Sequence, residues 1–260
     1  DTSRRWRRFG GAPAEVYLVD DLAPTRAKLV ALVVLSVALA LGLRLVEQWR
    51  GASGADELTA HYYRMVRYHE RVDANVEPGS ALFFGDSLIQ GLNVAAVTPG
   101  AINYGIGQDT TEGLKLRISN YDSLQTARVV VLSVGINDVF FRSLDGVIDN
   151  YRQIIDSVSG PLVISAVMPT TKSEWNEQSV LVNRELERMA SERSETAFVN
   201  LWDAVSASET GLLADAFHVG DGVHLNEKAA SLWIDALRAA IDQVVPGASE
   251  RTASATMAHP

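Results

Sequence analysis

The sequence predicts an α/β domain in three layers, a five-stranded parallel sheet with helices on both faces, preceded by one transmembrane helix. Two observations predict it. From residue 80 onward five short apolar runs alternate with longer amphipathic stretches. Before that, the segment from 28 to 49 is almost free of charge. Strands alternating with helices imply right-handed crossovers, which lay helices on both faces of a parallel sheet. An apolar fraction of 47% over 260 residues supplies the core such a sheet needs.

Residues 1–27 form a basic arm in which Arg4, Arg5, Arg7 and Arg8 flank Trp6 and precede Phe9. Leu29 to Leu43 read LVALVVLSVALALGL, without a charge. A bilayer core of about 30 Å takes roughly twenty helical residues, so the predicted spanning helix runs over 28–49, with Arg44 snorkelling outward and Trp49 at the interface. The clustered arginines, Arg26 and Lys28 precede it and Asp56 and Glu57 follow. The positive-inside rule then places the N-terminus in the cytoplasm and the rest of this single-pass protein outside it. Small residues suited to cleavage occur only at Gly51–Ala55, well past the apolar run, so the helix is expected to be retained.

Residues 50–79 are a lead-in helix and linker, with Leu58, Tyr62, Met65, Val66, His69 and Val72 at helical spacing. His61 and His69 have no close acidic or histidine partner there and read as surface or groove residues, not metal ligands. The domain proper spans 80–245. Its apolar runs are Ala81–Phe84, Ala101–Tyr104, Val129–Val134, Leu162–Val167 and Ala197–Val199, and helices are predicted over 111–118, 144–158, 175–193 and 227–244. Residues 246–260 are small, polar and aperiodic, and read as a disordered tail.

There is no cysteine, so disulfides, thiolate metal sites and cysteine nucleophiles are excluded. Residues 1–50 carry eight Lys/Arg against five Asp/Glu, which leaves a net charge of −12 on residues 51–260 out of −9 overall. Such an acidic body repels a phosphate backbone and excludes nucleic acid as a partner. No phosphate-binding P-loop is present, and Gly105-Ile106-Gly107 lacks the third glycine of a dinucleotide fingerprint, so no cofactor is expected and no metal is required.

Ligands of an open parallel sheet bind beyond the carboxyl ends of its strands. The residues following the first three runs are Gly85-Asp86-Ser87-Leu88, Gly105-Ile106-Gly107-Gln108-Asp109 and Gly135-Ile136-Asn137-Asp138, and Asp221-Gly222-Val223-His224 precedes the last helix. Gly85 permits a tight turn that presents Ser87 at a helix entrance, where free N–H groups favour developing negative charge. His224 is the candidate base for that hydroxyl. Asp221, three residues earlier, would fix its tautomer. Asp215 and His218, six positions before them, are the rival pair. Taken singly, Ser87 reads as a helix cap, Asp221 as a turn residue and Asn137 as a cap; jointly they describe an acyl-transfer site. Phe140, Phe141, Arg142 and Trp175 lie on loops suited to lining an acyl or leaving-group pocket, or to packing those loops.

These four segments, in this order over roughly residues 80–242, resemble the conserved blocks of the SGNH or GDSL hydrolase superfamily. FFGDSLIQG followed by NYGIGQDTT is most similar to the branch containing the platelet-activating-factor acetylhydrolase catalytic subunits. The resemblance implies a flavodoxin-like strand order, a Ser87 nucleophile, and an oxyanion hole made by the Ser87 N–H, a backbone N–H of the second block and the Asn137 amide. Asp86 belongs to the motif and orients the turn. In one respect the chain departs from the pattern: Gln108 stands where the family has glycine before Asp-Thr. Since the backbone N–H donates, glutamine serves if its dihedrals are tolerated; Gly107 and Gly105 are the alternatives. The expected activity is hydrolysis of an ester, lipid or glycan by location, through an acyl-Ser87 intermediate. The alternatives are an O-acyltransferase acting on an envelope glycan and a non-catalytic binding subunit with a membrane-protein partner.

Overall fold

Strands β1 (Ala81–Gly85), β2 (Ile102–Gly105), β3 (Val129–Ser133), β4 (Leu162–Ser165) and β5 (Thr196–Val199) pair in parallel in the order β2-β1-β3-β4-β5. This is the flavodoxin-like order. The computed structural model describes residues 28–31, 33–36, 58–140 and 142–246. The chain divides into two units, residues 1–53 and 54–260. In the first, residues 28–31 and 33–36 are helical and expose Leu29, Val30, Val33, Val34 and Leu35. Among the described residues no helix is long and apolar enough to cross a membrane. Most of the expected spanning segment 28–49 lies outside the described residues, as do the basic arm, residues 50–57 and the tail beyond Pro246.

In the second unit the strands are joined by α1 (Ala60–Asp73), α2 (Ser87–Gln90), α3 (Val94–Val97), α4 (Thr111–Arg117), α5 (Leu144–Asp156), α6 (Ser173–Glu192), α7 (Trp202–Val205) and α8 (Glu227–Val244). Strands β1, β3 and β4 are buried at every residue, which is why they read as unbroken apolar runs instead of alternating ones. Side chains still alternate between the faces. Leu82, Phe84, Val130, Leu132, Leu162 and Ile164 pack with Leu114 of α4, Tyr151 of α5 and Leu186 of α6. Ala81, Phe83, Val129, Val131 and Val163 pack with Ile89 of α2, Val205 of α7 and Trp233 and Leu237 of α8. The sheet therefore has a hydrophobic core on each side. The third and fourth runs outlast their strands because Val134, Ile136, Val167 and Met168 stay buried after pairing ends.

Helix starts follow local chemistry. Thr59, Thr110, Ser143 and Asn226 each accept a backbone N–H from the first turn of α1, α4, α5 and α8. The predicted range of α8 is met at both ends. One expectation is corrected: His69 is not a surface residue. Tyr62, His69 and Asp73 recur on one face of α1 and are buried. His69 packs edge-on against Tyr104 and Tyr121, and its Nδ1 has no hydrogen-bond partner among the described residues. Burial, assisted by the Arg117 charge, pushes its pKa down to about 4, so the ring is neutral. Asp73 accepts from the Tyr104 hydroxyl at 2.5 Å, the Ser123 N–H at 3.2 Å and the Ser123 hydroxyl. Helical spacing reported the apolar stripe of α1 but not that its polar members reach across 50 residues to partners of their own.

Candidate active site

Strand β1 ends at Gly85, where a Cβ would come within 2.1 Å of the Ser133 carbonyl and 2.5 Å of Ile89 Cγ1. Only glycine lets the chain turn so tightly beneath its own helix. The next residue, Asp86, caps α2: its Oδ1 accepts the Leu88 N–H at 2.9 Å. Asp86 is buried, and loss of solvent raises its pKa to about 7, reinforced by the carboxylates of Asp109 and Asp138. Its work is to hold the turn. Ser87 then opens α2 with its hydroxyl beside the sheet edge, and its own N–H meets no acceptor among the described residues.

The Ser87 Oγ lies 2.9 Å from His224 Nε2, although 137 residues separate them. His224 Nδ1 is 2.6 Å from Asp221 Oδ2, and Asp221 Oδ1 accepts the N–H groups of Val223 and His224 at 2.9 Å each. The slight burial of Asp221 works against its charge, but the bonds from His224 and the two backbone N–H groups win and hold its carboxyl down at about 2. An ionised Asp221 places the proton of a neutral imidazole on Nδ1 and leaves Nε2 as acceptor.

The loop carrying these residues is fixed by its neighbours. Gly222 has φ +77°, and a Cβ there would lie 2.1 Å from Thr171 Oγ1; Thr171 donates its N–H to the Gly222 carbonyl at 3.0 Å. His218 turns its Nδ1 toward the backbone, accepting from Gly220 at 2.9 Å and Gly222 at 3.1 Å. It sits 3.4 Å from Asp215, whose carboxyl is fully exposed. The structure thus brings His224, not His218, to Ser87, and gives His218 the task of shaping the loop.

At the end of β2 the competing donors sort themselves out. The Gly105 N–H is taken by Asn103 Oδ1 at 2.9 Å and the Gly107 N–H by Gln90 Oε1 at 2.7 Å. The Gln108 N–H has no acceptor among the described residues, and Gln108 holds φ +66°, the left-handed conformation that explains a glycine at this position elsewhere. Its side chain is exposed. Asn137, following β3, gives one amide hydrogen to the Asp109 carbonyl at 2.8 Å and keeps the other.

The loops that carry Phe140, Phe141, Arg142 and Trp175 are placed differently from one another. Arg142 bonds Asp138 at 2.8 Å and lies 3.9 Å from Glu112, so its guanidinium is engaged with the protein itself. Trp175 is half-buried on the first turn of α6. Phe141 and the side chain of Phe140 lie outside the described residues. Among the described residues no group of three His, Cys, Asp or Glu could hold a metal.

A family model for GDSL-like lipases and acylhydrolases matches residues 83–232, from within β1 into α8. The chain belongs to the GDSL-like lipase/acylhydrolase family. It is a serine hydrolase of SGNH/GDSL type. No curated protein matches this GDSL-like hydrolase. Several solved structures share its fold. A Streptococcus pneumoniae protein named for platelet activating factor is 19% identical, with a TM-score of 0.61 over 79% of this chain and 99% of its own. A GDSL-like lipase from Bacteroides thetaiotaomicron is 18% identical, TM-score 0.60, over 68% and 97%. A catalytic mutant of an acetylxylan esterase from Geobacillus stearothermophilus is 20% identical, TM-score 0.53, over 63% and 95%.

Sequence reasoning about this GDSL-like hydrolase missed the residues beneath the site. Asp109 and Asp138 stand in the motifs but were given no role, and Gln90, Asn103 and Arg117 were not singled out. Asp138 accepts the Thr111 N–H at 2.9 Å and hydroxyl at 2.6 Å, pinning the start of α4 to the turn after β3. Gln90 and Asn103 lie inside the blocks FFGDSLIQG and NYGIGQDTT, whereas Arg117 shows only as an arginine at the end of an amphipathic helix.

Proposed function

We propose that the hydrolase is a membrane-anchored carboxylic ester hydrolase, working outside the cytoplasm through an acyl-Ser87 intermediate. The observation that carries this reading is the unbroken hydrogen-bonded chain Ser87–His224–Asp221, beside donors that have no acceptor among the described residues. Ser87 Oγ attacks the acyl carbonyl while His224 Nε2 takes its proton. The carbonyl oxygen, now negative, is received by the Ser87 and Gln108 N–H groups and the free hydrogen of the Asn137 amide. Asp221 stabilises the imidazolium. The tetrahedral intermediate collapses, His224 returns its proton to the departing alcohol, and water repeats the sequence to free the acid and Ser87.

Hydrolysis is favoured over acyl transfer because the site is open: the side chains of His224 and Asp221 are 46% and 45% exposed, whereas a transferase must keep water from the acyl-enzyme. The scaffold alternative accounts for none of the hydrogen bonds at Ser87. The apolar run Leu29–Leu43 supports the anchor and its basic flank the orientation. A substrate at the envelope, an O-acetylated glycan or a short-chain lipid ester, fits that location and the acetylxylan ester named for one structural neighbour.

The test is labelling of the full chain in membranes by a fluorophosphonate, with release of acetate from a chromogenic ester as the companion assay. Adduct at Ser87 and loss of both signals in Ser87→Ala are expected. Labelling elsewhere, or turnover that survives Ser87→Ala, would overturn the assignment. Recovery of the protein in the soluble fraction would overturn the anchor alone.

A further inference from the structure

Arg117, the last residue of α4, is 1% exposed and touches no substrate-facing atom. Its Nε and Nη2 both reach Asp109 Oδ2, at 2.9 and 2.8 Å, and Nη2 also donates to the Gly85 carbonyl at 3.3 Å. Nη1 donates to the Tyr121 hydroxyl at 3.2 Å, and the guanidinium carbon stands 5.9 Å from the ring centres of both Phe84 and Tyr121. Each of its two backbone-linked partners leads to the oxyanion site. Gly85 is two residues before Ser87. Asp109 follows Gln108 directly, and its carbonyl holds the Asn137 amide.

We propose that Arg117 is the positioning residue of the oxyanion hole, setting the relative places of the Ser87 N–H, the Gln108 N–H and the Asn137 amide through Asp109 and the Gly85 carbonyl. Three turns, after β1, β2 and β3, supply one donor each, and their strands by themselves do not fix the turns to a fraction of an ångström. A buried ion pair is a poor source of stability compared with apolar packing, since both ions must leave water, but it is a demanding source of geometry. Catalysis by fixed donors depends on that geometry, because a donor misplaced by an ångström stabilises little. Burial raises the Asp109 pKa against the opposing pull of Arg117, and the double contact at 2.9 and 2.8 Å is that of an ion pair. The pair is closed over by α1. Tyr62 bonds the Gly113 carbonyl at 2.7 Å, and a Cβ on Gly113 would strike Asp109 Oδ1 at 2.1 Å, so helix and carboxylate pack without slack.

The inference rests on Ser87 being the nucleophile, and the experiment separates the two. Arg117→Lys, Asp109→Asn and the milder Tyr121→Phe are made in the full chain, and kcat for a chromogenic acetyl ester is normalised to sites titrated to completion by fluorophosphonate. Expected are losses in kcat per titrated site of at least about tenfold for the first two and about twofold for the third, with KM changed less than about threefold. The rate of phosphonylation should fall in parallel, because the phosphonyl oxygen occupies the same pocket. A lowered melting temperature with unchanged kcat per titrated site and unchanged phosphonylation rate would show Arg117 to be merely structural and overturn the inference. If the Arg117 and Asp109 variants yield no folded protein, Tyr121→Phe decides by the same two readouts. A parent protein that never labels at Ser87 would instead sink the underlying assignment.

Discussion

The hydroxyl of Tyr62 donates to the Gly113 carbonyl at 2.7 Å, joining the helix that precedes the sheet to the first helix that follows the oxyanion loop. The family match begins at residue 83, yet α1 buries three polar side chains into the same domain. Tyr62→Phe should cost about 1 kcal/mol, the net worth of one buried hydrogen bond. A chain begun at residue 78 should fail to fold, since Tyr104 and Ser123 lose Asp73 as acceptor and the face over Tyr121 is bared. Thermal melts of the variant, the truncation and a chain begun at residue 54 would check both statements; a stable, active chain from 78 would refute them.

His224→Ala should lower kcat by about 10³-fold or more, because among the described residues no other base stands at the Ser87 hydroxyl. His218→Ala should retain labelling at Ser87 while losing about 1–3 kcal/mol of stability, as two loop N–H groups lose their acceptor. Parallel kinetics and melting curves distinguish the two histidines, and interchanged phenotypes would transfer the role of base to His218.

Gln108→Gly should raise stability by up to about 1 kcal/mol by relieving the left-handed backbone, and should leave kcat within a few-fold, since the N–H and not the side chain is the donor. A hundred-fold fall in kcat would show that the glutamine amide itself takes part.

The neutral, buried His69 makes stability depend on pH. Its folded pKa, about 4, lies below the ordinary value near 6.5, so the unfolded chain binds the extra proton between those values. Its contribution is whole above about pH 6.5 and is lost as pH falls toward 4, up to about 3 kcal/mol in all. Asp86 and Asp109, raised to about 7 and 6, act in the opposite sense, so the informative quantity is the difference between the parent and His69→Phe. Denaturant titrations at pH 7 and 4.5 should show a stability change more favourable to the variant than to the parent by the His69 contribution. An equal loss would place the sensitivity elsewhere.

Much of this was legible in the sequence because it is written in local terms. Apolar runs mark strands buried on both faces, amphipathic spacing over 227–244 announces α8, and four turn motifs declare where the chemistry gathers. Side chains that bond across the fold leave no such mark. The helical spacing that includes His69 does not say which side chains it meets, and nothing near Arg117 in the sequence names Asp109 or Gly85 as its partners. The choice among Gly105, Gly107 and Gln108 needed Asn103 and Gln90, which occupy two of the three N–H groups from two and 17 residues' distance. Arg142, read as a substrate contact, is drawn instead to Asp138 because a buried carboxylate attracts the nearest cation.

Gln90 sits on the same turn as Ser87 and holds the Gly107 N–H, while Asn103 of β2 grips the carbonyls of Ile89 and Leu92. Attacking hydroxyl and anion-receiving loop are thereby clasped to each other as well as to the sheet. Displacing one therefore strains the bonds that hold the other, which ties the interval a reacting carbonyl must bridge to two side-chain amides instead of to the strands alone.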